Sequence, residues 1–331
     1  VRILCFSRGY QKEKFSGCWW IRLKVPFEQL GKKHYVCLTD GVTEYPLDAF
    51  QIVVLNNVIA GVQKMRGDKV TGDTTVEDMV GHFRRIGLKI VYDLDDSQEI
   101  HPLLGAVGKL VDDNLPSYFY LLKEADLITC TTEHLKNHLR QFTDKPIAVL
   151  PNCINPLDFP KRKQNDKVKI GYAGSYSHIP DFEIVKDAIS SLKRKHDIYF
   201  ELFGFDYPPF KRRKVVPMER YYEELADMGN DIAIAPLLDN EFNHNKSPLK
   251  FLENVAVGSM TLCSNRLPYK GDVPDKWLVN DDKWEETLEK YVLDSKLRER
   301  TYREQRKWLL ENRDIRKEWV RWEKEYRKLL C

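Results

Sequence analysis

Short apolar runs closed by turn residues alternate along this chain with stretches in which apolar positions recur every three or four residues. A run that is apolar at successive positions predicts a strand covered on both faces, and the three-to-four spacing predicts a helix with one buried side. Strung in alternation, they predict a layered α/β protein with parallel sheets. Runs at 1–6, 35–38, 50–55, 88–92, 127–130 and 147–150 predict six strands, with helices over 76–86, ahead of Gly87, and over 133–142, which Thr131 or Thr132 caps. The polar stretch 160–167 interrupts the pattern and reads as a linker. A second series follows, with strands at 168–173, 198–203, 231–237 and 260–264 and helices over 182–194, 218–228 and 247–257, the last ending at Gly258. Beyond it, Trp308, Ile315, Trp319, Trp322, Tyr326 and Leu329 recur at helical spacing and predict one long helix with an aromatic face. That face reads as a packing surface before it reads as a platform for stacking bases.

With 331 residues the chain is long enough for two domains, each with its own core. No apolar stretch nears the roughly 20 residues of a membrane helix, and residues 1–10 are too polar for a secretory signal, which argues against a spanning or classically secreted protein. The seven cysteines are scattered and never spaced C-x-x-C, so neither a disulfide framework nor a zinc knuckle is expected, and a cytoplasmic setting fits. Lys and Arg total 53 against 50 Asp and Glu, but residues 296–331 alone hold 13 and 7. A second basic cluster, Lys211-Arg212-Arg213-Lys214, follows Pro208-Pro209. Both read most simply as solvated faces, and alternatively as footprints for an anionic partner. There is no repeat of solenoid length and no low-complexity segment.

Candidate chemistry concentrates in residues 231–265, a strand, polar loop, helix, glycine and strand in turn. Lys246, Ser247, Lys250 and Glu253 are spaced to line the first turns of that helix, while Phe251, Leu252 and Val255 face inward. Two lysines and a serine at a helix N-terminus suit a diphosphate, because free N–H groups, the helix dipole and the ammonium groups all attract the anion. The bland alternative is an ordinary surface Lys–Glu pair. Upstream, the strand 169–173 runs into a loop carrying Gly174, Ser175 and His178, which would let a phosphate approach the backbone, although Gly171 and Gly174 lack the full dinucleotide-binding spacing.

Taken together, Gly171-Tyr-Ala-Gly-Ser-Tyr-Ser-His-Ile-Pro-Asp181, Phe203-Gly204, residues 231–237, Asn245-Lys-Ser-Pro-Leu-Lys-Phe-Leu-Glu253 and Gly258 resemble the donor-binding half of GT-B glycosyltransferases. The likeness is to the large retaining family of sucrose synthases and bacterial mannosyltransferases, especially its phage and bacterial surface-polysaccharide branch. The first half is similar to the same family at residues 17–26, at Tyr92-Asp-Leu-Asp-Asp96, and at 124–132 with 150–154. The resemblance implies an α/β fold of two Rossmann-like domains facing across a cleft: an acceptor domain (1–160), a nucleotide-sugar domain (161–300), and a C-terminal helix (301–331) crossing back to the first domain. Glu253 then matches the second Glu of the family's Glu-x7-Glu motif, which bonds the donor ribose, and Lys246, Ser247 and Lys250 reach the diphosphate. The first Glu of that motif falls on Asn245, so the contacts it makes to the donor sugar are open. Gly17, Trp19 and Arg22 fall on an acceptor-side loop. Where many relatives carry a His after the fourth strand, this chain has Asp93-Leu-Asp-Asp96, so Asp95 or Asp96 stands at the catalytic position, with His101 as a further candidate. The aspartates alternatively resemble a metal site or cap the following helix.

What the resemblance implies is metal-independent transfer of a sugar from a nucleotide-sugar, with retention of configuration and no resident cofactor. The acceptor is left open among a glycan, a lipid-linked sugar, a protein and modified DNA, and peripheral contact with a membrane is compatible with the basic tail. Two other classes stay in view: a nucleic-acid-binding protein that uses the basic clusters, and a nucleotide-sugar epimerase or hydrolase on the same fold.

Overall fold

The computed structural model describes residues 1–7, 10–11, 14–15, 17–39, 46–57, 62–66, 69–100 and 115–331. In it the continuous apolar runs become the strands of two six-stranded parallel sheets, whose strands are buried on both faces and therefore do not alternate in polarity. The chain divides into two units, Val1–Asn152 with Ile315–Cys331, and Cys153–Asp314.

In the first unit the strands are β1 (Arg2–Ser7), β2 (Tyr35–Thr39), β3 (Ile52–Asn56), β4 (Lys89–Leu94), β5 (Leu127–Cys130) and β6 (Ile147–Val149), in the order β6-β5-β4-β3-β1-β2. The winding reverses between β1 and β3, and in such sheets the crevice beyond the strand ends at the reversal is where ligands bind. Between strands run α1 (Gly17–Trp19), which continues through a π-helical turn, Trp20–Lys24, into α2 (Val25–Leu30), then α3 (Val76–Arg85), α4 (Leu115–Glu124) and α5 (Glu133–Leu139). Of the two threonines considered as caps for α5 it is Thr132 that accepts from Leu135 N, at 3.2 Å. Two antiparallel hairpins, Tyr10–Gln11 with Lys14–Phe15 and Val62–Arg66 with Lys69–Thr74, are additions to the expected pattern.

The second unit contains β7 (Lys169–Ala173), β8 (Tyr199–Phe203), β9 (Lys211–Arg213), β10 (Ile232–Ala235), β11 (Met260–Ser264) and β12 (Leu278–Val279), in the order β9-β8-β7-β10-β11-β12. This is the dinucleotide-binding strand order, with its reversal between β7 and β10. Its helices are α6 (Ile179–Glu183), α7 (Lys186–Lys195), α8 (Met218–Met228), α9 (Glu241–His244), α10 (Leu249–Val257), α11 (Trp284–Leu293) and α12 (Ser295–Asn312). The helix expected over 182–194 is interrupted at Ile184 and Val185, and the basic cluster at 211–214 forms an edge strand.

Three expectations about organisation change. Residues 160–167 are not a free linker: Arg162 Nε donates to Gly258 O at 2.9 Å, Lys163 N to Ala226 O at 3.0 Å, and Asn165 to Gly229 O, so the segment satisfies carbonyls at the C-termini of α8 and α10. The boundary therefore falls at Asn152/Cys153 instead of 160/161. The second boundary moves from 300/301 to Asp314/Ile315, because α12 belongs to the second unit throughout. There the Gln305 side chain accepts from Thr261 N at 2.9 Å and donates to Thr261 O at 2.6 Å, extending the sheet edge where the two-residue β12 ends.

The single long helix with one aromatic face is likewise three helices. Trp308 on α12 packs edge-on against Phe251 and Trp277 in the second unit, at 5.6 and 6.3 Å between ring centroids. The chain then leaves the helix at Arg313 and re-enters it in Ile315–Glu318 and Val320–Lys328. In those last helices Trp322 and Tyr326 are buried in the first unit, Tyr326 stacks on Phe27 of α2 at 5.9 Å, and Glu323 pairs with His34 at 3.0 Å. Trp319 is half-buried, with the Lys33 ammonium 4.7 Å from its ring centroid. Trp322→Ala is accordingly expected to cost about 3–5 kcal/mol in denaturant unfolding, the scale of truncating a buried Trp, and Trp319→Ala clearly less. Equal costs for the two would contradict this packing.

Candidate functional site

In the second unit the residues singled out from the sequence gather at the β7/β10 reversal. Strand β7 is followed directly by Gly174, whose N–H donates to Phe203 O at 2.9 Å, and a Cβ on Gly204 would stand 2.0 Å from Gly174 O. Gly204 also has φ 116°, so only glycine lets the ends of β7 and β8 meet this closely. The chain then turns through Ser175, which is exposed and 2.8 Å from Ser177 Oγ, to His178. His178 Nδ1 bonds Asp181 Oδ2 at 2.6 Å, and Asp181 Oδ1 accepts from Leu238 N at 2.8 Å and Asn243 Nδ2 at 3.0 Å. Asp181 thereby ties the loop after β7 to the loop after β10. Burial works to raise its carboxyl, but the bonds from His178 and Leu238 outweigh that and hold it below the ordinary range. Burial, reinforced by the Lys250 charge, keeps the His178 imidazole neutral against the pull of Asp181. Its proton then belongs on Nδ1, leaving Nε2 as an acceptor.

Residues 245–253 close the other side of this crevice. Lys246 lies with its ammonium 4.3 Å from the Phe242 ring centroid, and Ser247 is half-buried just before α10. Lys250 has no carboxylate within ion-pair distance among the described residues; its Nζ donates to Tyr172 OH at 3.4 Å and sits 5.1 Å from that ring's centroid. Burial, with the neighbouring Lys246 charge, pushes it down to about 7, although Asp181, Glu253 and Cys263 pull the other way. Glu253 is 5% exposed, accepts from Tyr221 OH at 3.2 Å, and is pushed up to about 8 by burial. Asn245 is fully buried: Nδ2 donates to Glu241 O at 3.1 Å, and Oδ1 has no partner among the described residues. The arrangement offers an anion two ammonium groups and the open N–H groups of a helix end, with hydrogen-bonding groups beside them.

The first unit builds a second polar cluster at the C-terminal ends of β1 and β3–β6. Arg22, fully buried, bonds Asp93 through Nε to Oδ2 at 3.1 Å and through NH2 to Oδ1 at 2.5 Å. Its NH1 donates to Leu150 O at 2.6 Å and Asn152 Oδ1 at 3.1 Å. Asp93 also accepts from Asn56 Nδ2 at 2.9 Å and Thr129 Oγ1 at 2.6 Å, and Ser7 Oγ donates to Asn56 Oδ1 at 3.1 Å. The three aspartates after β4 do not converge: Asp93 faces Arg22, Asp95 accepts from Asn57 Nδ2 at 2.6 Å, and Asp96 accepts from Gln98 Nε2 at 2.7 Å. Among the described residues no group of three or more His, Cys, Asp or Glu is placed to hold one metal ion.

The residues expected on an acceptor-side loop are helical instead. Gly17 is exposed at the start of α1, but Trp19 and Arg22 are buried, with each guanidinium nitrogen of Arg22 bonded to Asp93, Leu150 O or Asn152 Oδ1. His101 lies outside the described residues. The sequence reading passed over Tyr221 and Asn57; the Asn56-Asn57 pair at a strand end was the available signal. Charges in the two basic clusters are largely engaged: Arg212 with Asp206, Arg213 with Glu224 and Glu201, Arg321 with Glu318, Arg327 with Glu323, Lys328 with Glu325. This removes most of the free charge that a nucleic-acid footprint needs.

No protein-family profile and no curated protein matches this sequence. Solved structures do match over the full length. The chain is similar to T4 phage BGT in complex with its UDP-glucose substrate, at 14% identity and TM-score 0.59 over 99% of each chain. It is similar to an alpha-glucosyltransferase, AGT, in complex with UDP, at 12% identity and TM-score 0.67 over all of both chains, and to AGT bound to UDP and a 13-mer DNA, at 12% and 0.65 over 100% and 99%. A third neighbour is AviGT4, a glycosyltransferase involved in avilamycin A biosynthesis, at 12% and 0.57 over 100% of this chain and 98% of that one. These neighbours are GT-B glycosyltransferases, and the fold of this chain is theirs.

Because Asp93 is held by Arg22 out of contact with water, Asp93→Asn is expected to destabilise the first unit by about 3–5 kcal/mol, the scale of leaving one buried charge unpaired. Chemical denaturation measures it; a loss below about 1 kcal/mol would show the pair to be dispensable.

Proposed function

We propose that this protein is a glycosyltransferase that moves a sugar from a UDP-sugar to an acceptor hydroxyl with retention of configuration. The observation that carries the reading is the Lys246, Lys250 and α10 cluster at the β7/β10 reversal, on a fold shared with enzymes that bind UDP. Lys250 and Lys246 meet the diphosphate together with the N–H groups opening α10. Negative charge grows on the leaving diphosphate as its bond to the sugar lengthens, so groups fixed there in advance favour the transition state over the bound donor. Glu253, kept largely protonated at neutral pH, offers the ribose both an O–H donor and an acceptor oxygen. Asn245 Oδ1, buried and aimed away from its own backbone partner, accepts from a hydroxyl of the donor sugar. With the leaving group stabilised in this way, same-face attack through an ion pair needs no protein nucleophile, and the acceptor hydroxyl is oriented by Asp95 or Asp96. We read charge neutralisation as the work of lysines, with no metal; T4 phage BGT has been found with UDP and Mn2+, so turnover with and without a chelator belongs in the test. As AGT is found with DNA, hydroxymethylated DNA is the first acceptor to try, followed by glycan, lipid-linked sugar and protein.

Lys250→Ala is expected to weaken UDP binding by about 1.5–3 kcal/mol in calorimetry, the worth of a charge-assisted hydrogen bond. Unchanged affinity would remove α10 from the nucleotide site. The same lysine makes binding depend on pH. Free Lys250 loses its proton near 7, and a bound diphosphate favours the charged form, so affinity is full below about 7 and falls as the pH rises, by up to tenfold per unit. Measured above about pH 7.5, where a phosphate's own second ionisation near 6 is complete, binding should take up a proton. In Lys250→Arg, which stays charged, the slope and the uptake that set in near 7 should vanish, leaving only what Glu253 contributes near 8.

A further inference from the structure

Asn57 follows β3 directly and, among the described residues, is the only non-glycine with a left-handed backbone, at φ 48°. Asparagine tolerates that conformation better than other side chains, yet it remains unfavourable and persists only where the surroundings demand it. What the conformation accomplishes is visible in the bonds. The Asn57 N–H donates to Asp93 O at 3.0 Å, carrying the β3–β4 ladder one step beyond the Asn56–Asp93 pair. The same turn points the side chain back across β4, where Nδ2 donates to Asp95 Oδ1 at 2.6 Å. From the opposite side, Thr131 Oγ1, just past β5, reaches the Asp95 carbonyl at 3.4 Å. Asp95 is thus held by its side chain from one neighbouring strand end and by its backbone from the other, just beyond β4.

Asn56 provides the contrast. Both ends of its amide are consumed by Ser7 and Asp93 in the buried network. Asn57 spends its amide on a half-buried carboxylate that has one oxygen left over, and its own Oδ1 is buried without a partner among the described residues. A side chain serving only the turn needs no such aim, since glycine adopts the same backbone without strain.

We propose that Asn57 is a positioning residue for Asp95: it fixes Oδ1 so that the second carboxylate oxygen accepts the hydrogen bond of the attacking acceptor hydroxyl. This rests on the glycosyltransferase reading above and concerns Asp95, one of the two aspartates it names. The test is UDP release from UDP-glucose, with water and each candidate acceptor, by the parent, Asn57→Gly, Asp95→Asn and the double variant. Glycine suits the backbone, so Asn57→Gly should keep the parent melting temperature or exceed it, and keep the parent's UDP affinity and KM for UDP-glucose. Its kcat should fall about 10- to 100-fold, the cost of a misplaced catalytic group. The double variant should lose no more than Asp95→Asn alone, because both changes remove one function. Parental kcat in Asn57→Gly, or losses that multiply in the double variant, would overturn the proposal. So would a lowered melting temperature with lost UDP binding, which would make the bond purely structural. If the parent releases no UDP with any acceptor, the glycosyltransferase reading fails and this inference with it; turnover by the parent with an unaffected Asn57→Gly sinks this inference alone.

Discussion

A guanidinium fully removed from water is tolerable only if its nitrogens find acceptors, and the first unit is arranged around giving Arg22 four hydrogen bonds. Asp93 supplies two oxygens from the end of β4, and Leu150 and Asn152 supply two more from beyond β6. Asp93 in turn needs Asn56 from β3 and Thr129 from β5, and Asn56 needs Ser7 from β1. One charge pair therefore sets the relative height of five strand ends. It also explains the π-helical turn between α1 and α2, since Arg22 sits within Trp20–Lys24 and a widened turn lets its side chain enter the sheet's upper edge. Isosteric apolar packing would serve stability as well or better, so the polar solution is best understood as fixing where Asn57 and Asp95 stand.

The second unit solves the opposite problem. Its crevice keeps an ammonium group without a carboxylate partner, which is costly to bury and leaves Lys250 near neutrality. Every nearby carboxylate is otherwise occupied: Asp181 by His178, Leu238 and Asn243, and Glu253 by Tyr221. The protein thus withholds an internal counter-ion from a site where an anion is wanted. An unpaired lysine and a half-satisfied Asn245 are liabilities for stability, and liabilities of this kind concentrate where a ligand completes the structure.

Parallel strands buried on both faces are legible in sequence because most of their residues are apolar, and the ten expected strands all appear within a few residues of their places. Besides the two short hairpins, the unexpected strands are β9 and β12, both at a sheet edge, one of them Lys-Arg-Arg and the other two residues long, so neither carries an apolar run that a sequence displays. The aromatic stripe misled for a different reason. Helical spacing reports that Trp308, Trp322 and Tyr326 all turn inward, but not that a break at Arg313 sets the half-buried Trp308 against one core and buries the other two in another. On the site, the 245–253 segment was readable since its residues act through local helical spacing. Arg22 was placed on a loop because the partner that buries it lies 71 positions away, and the role of Asn57 depends on a φ value that no sequence pattern displays.

Charge placement finally separates a nucleotide-diphosphate site from a nucleic-acid surface. A polyanion is held by many exposed cations acting additively, and the exposed arginines and lysines of this chain are largely committed to neighbouring carboxylates at helical or cross-strand spacing. Lys250, which has no carboxylate within ion-pair distance among the described residues, is half-buried, stands beside Tyr172 near one helix end, and has the Lys246 charge close by. Charge so concentrated suits a compact ligand that carries its negative charge at one point and is uncharged on either side. A nucleotide-sugar has that form: the base and ribose lie on one side of the diphosphate and the sugar on the other, with Glu253 and the buried oxygen of Asn245 on hand for their hydroxyls.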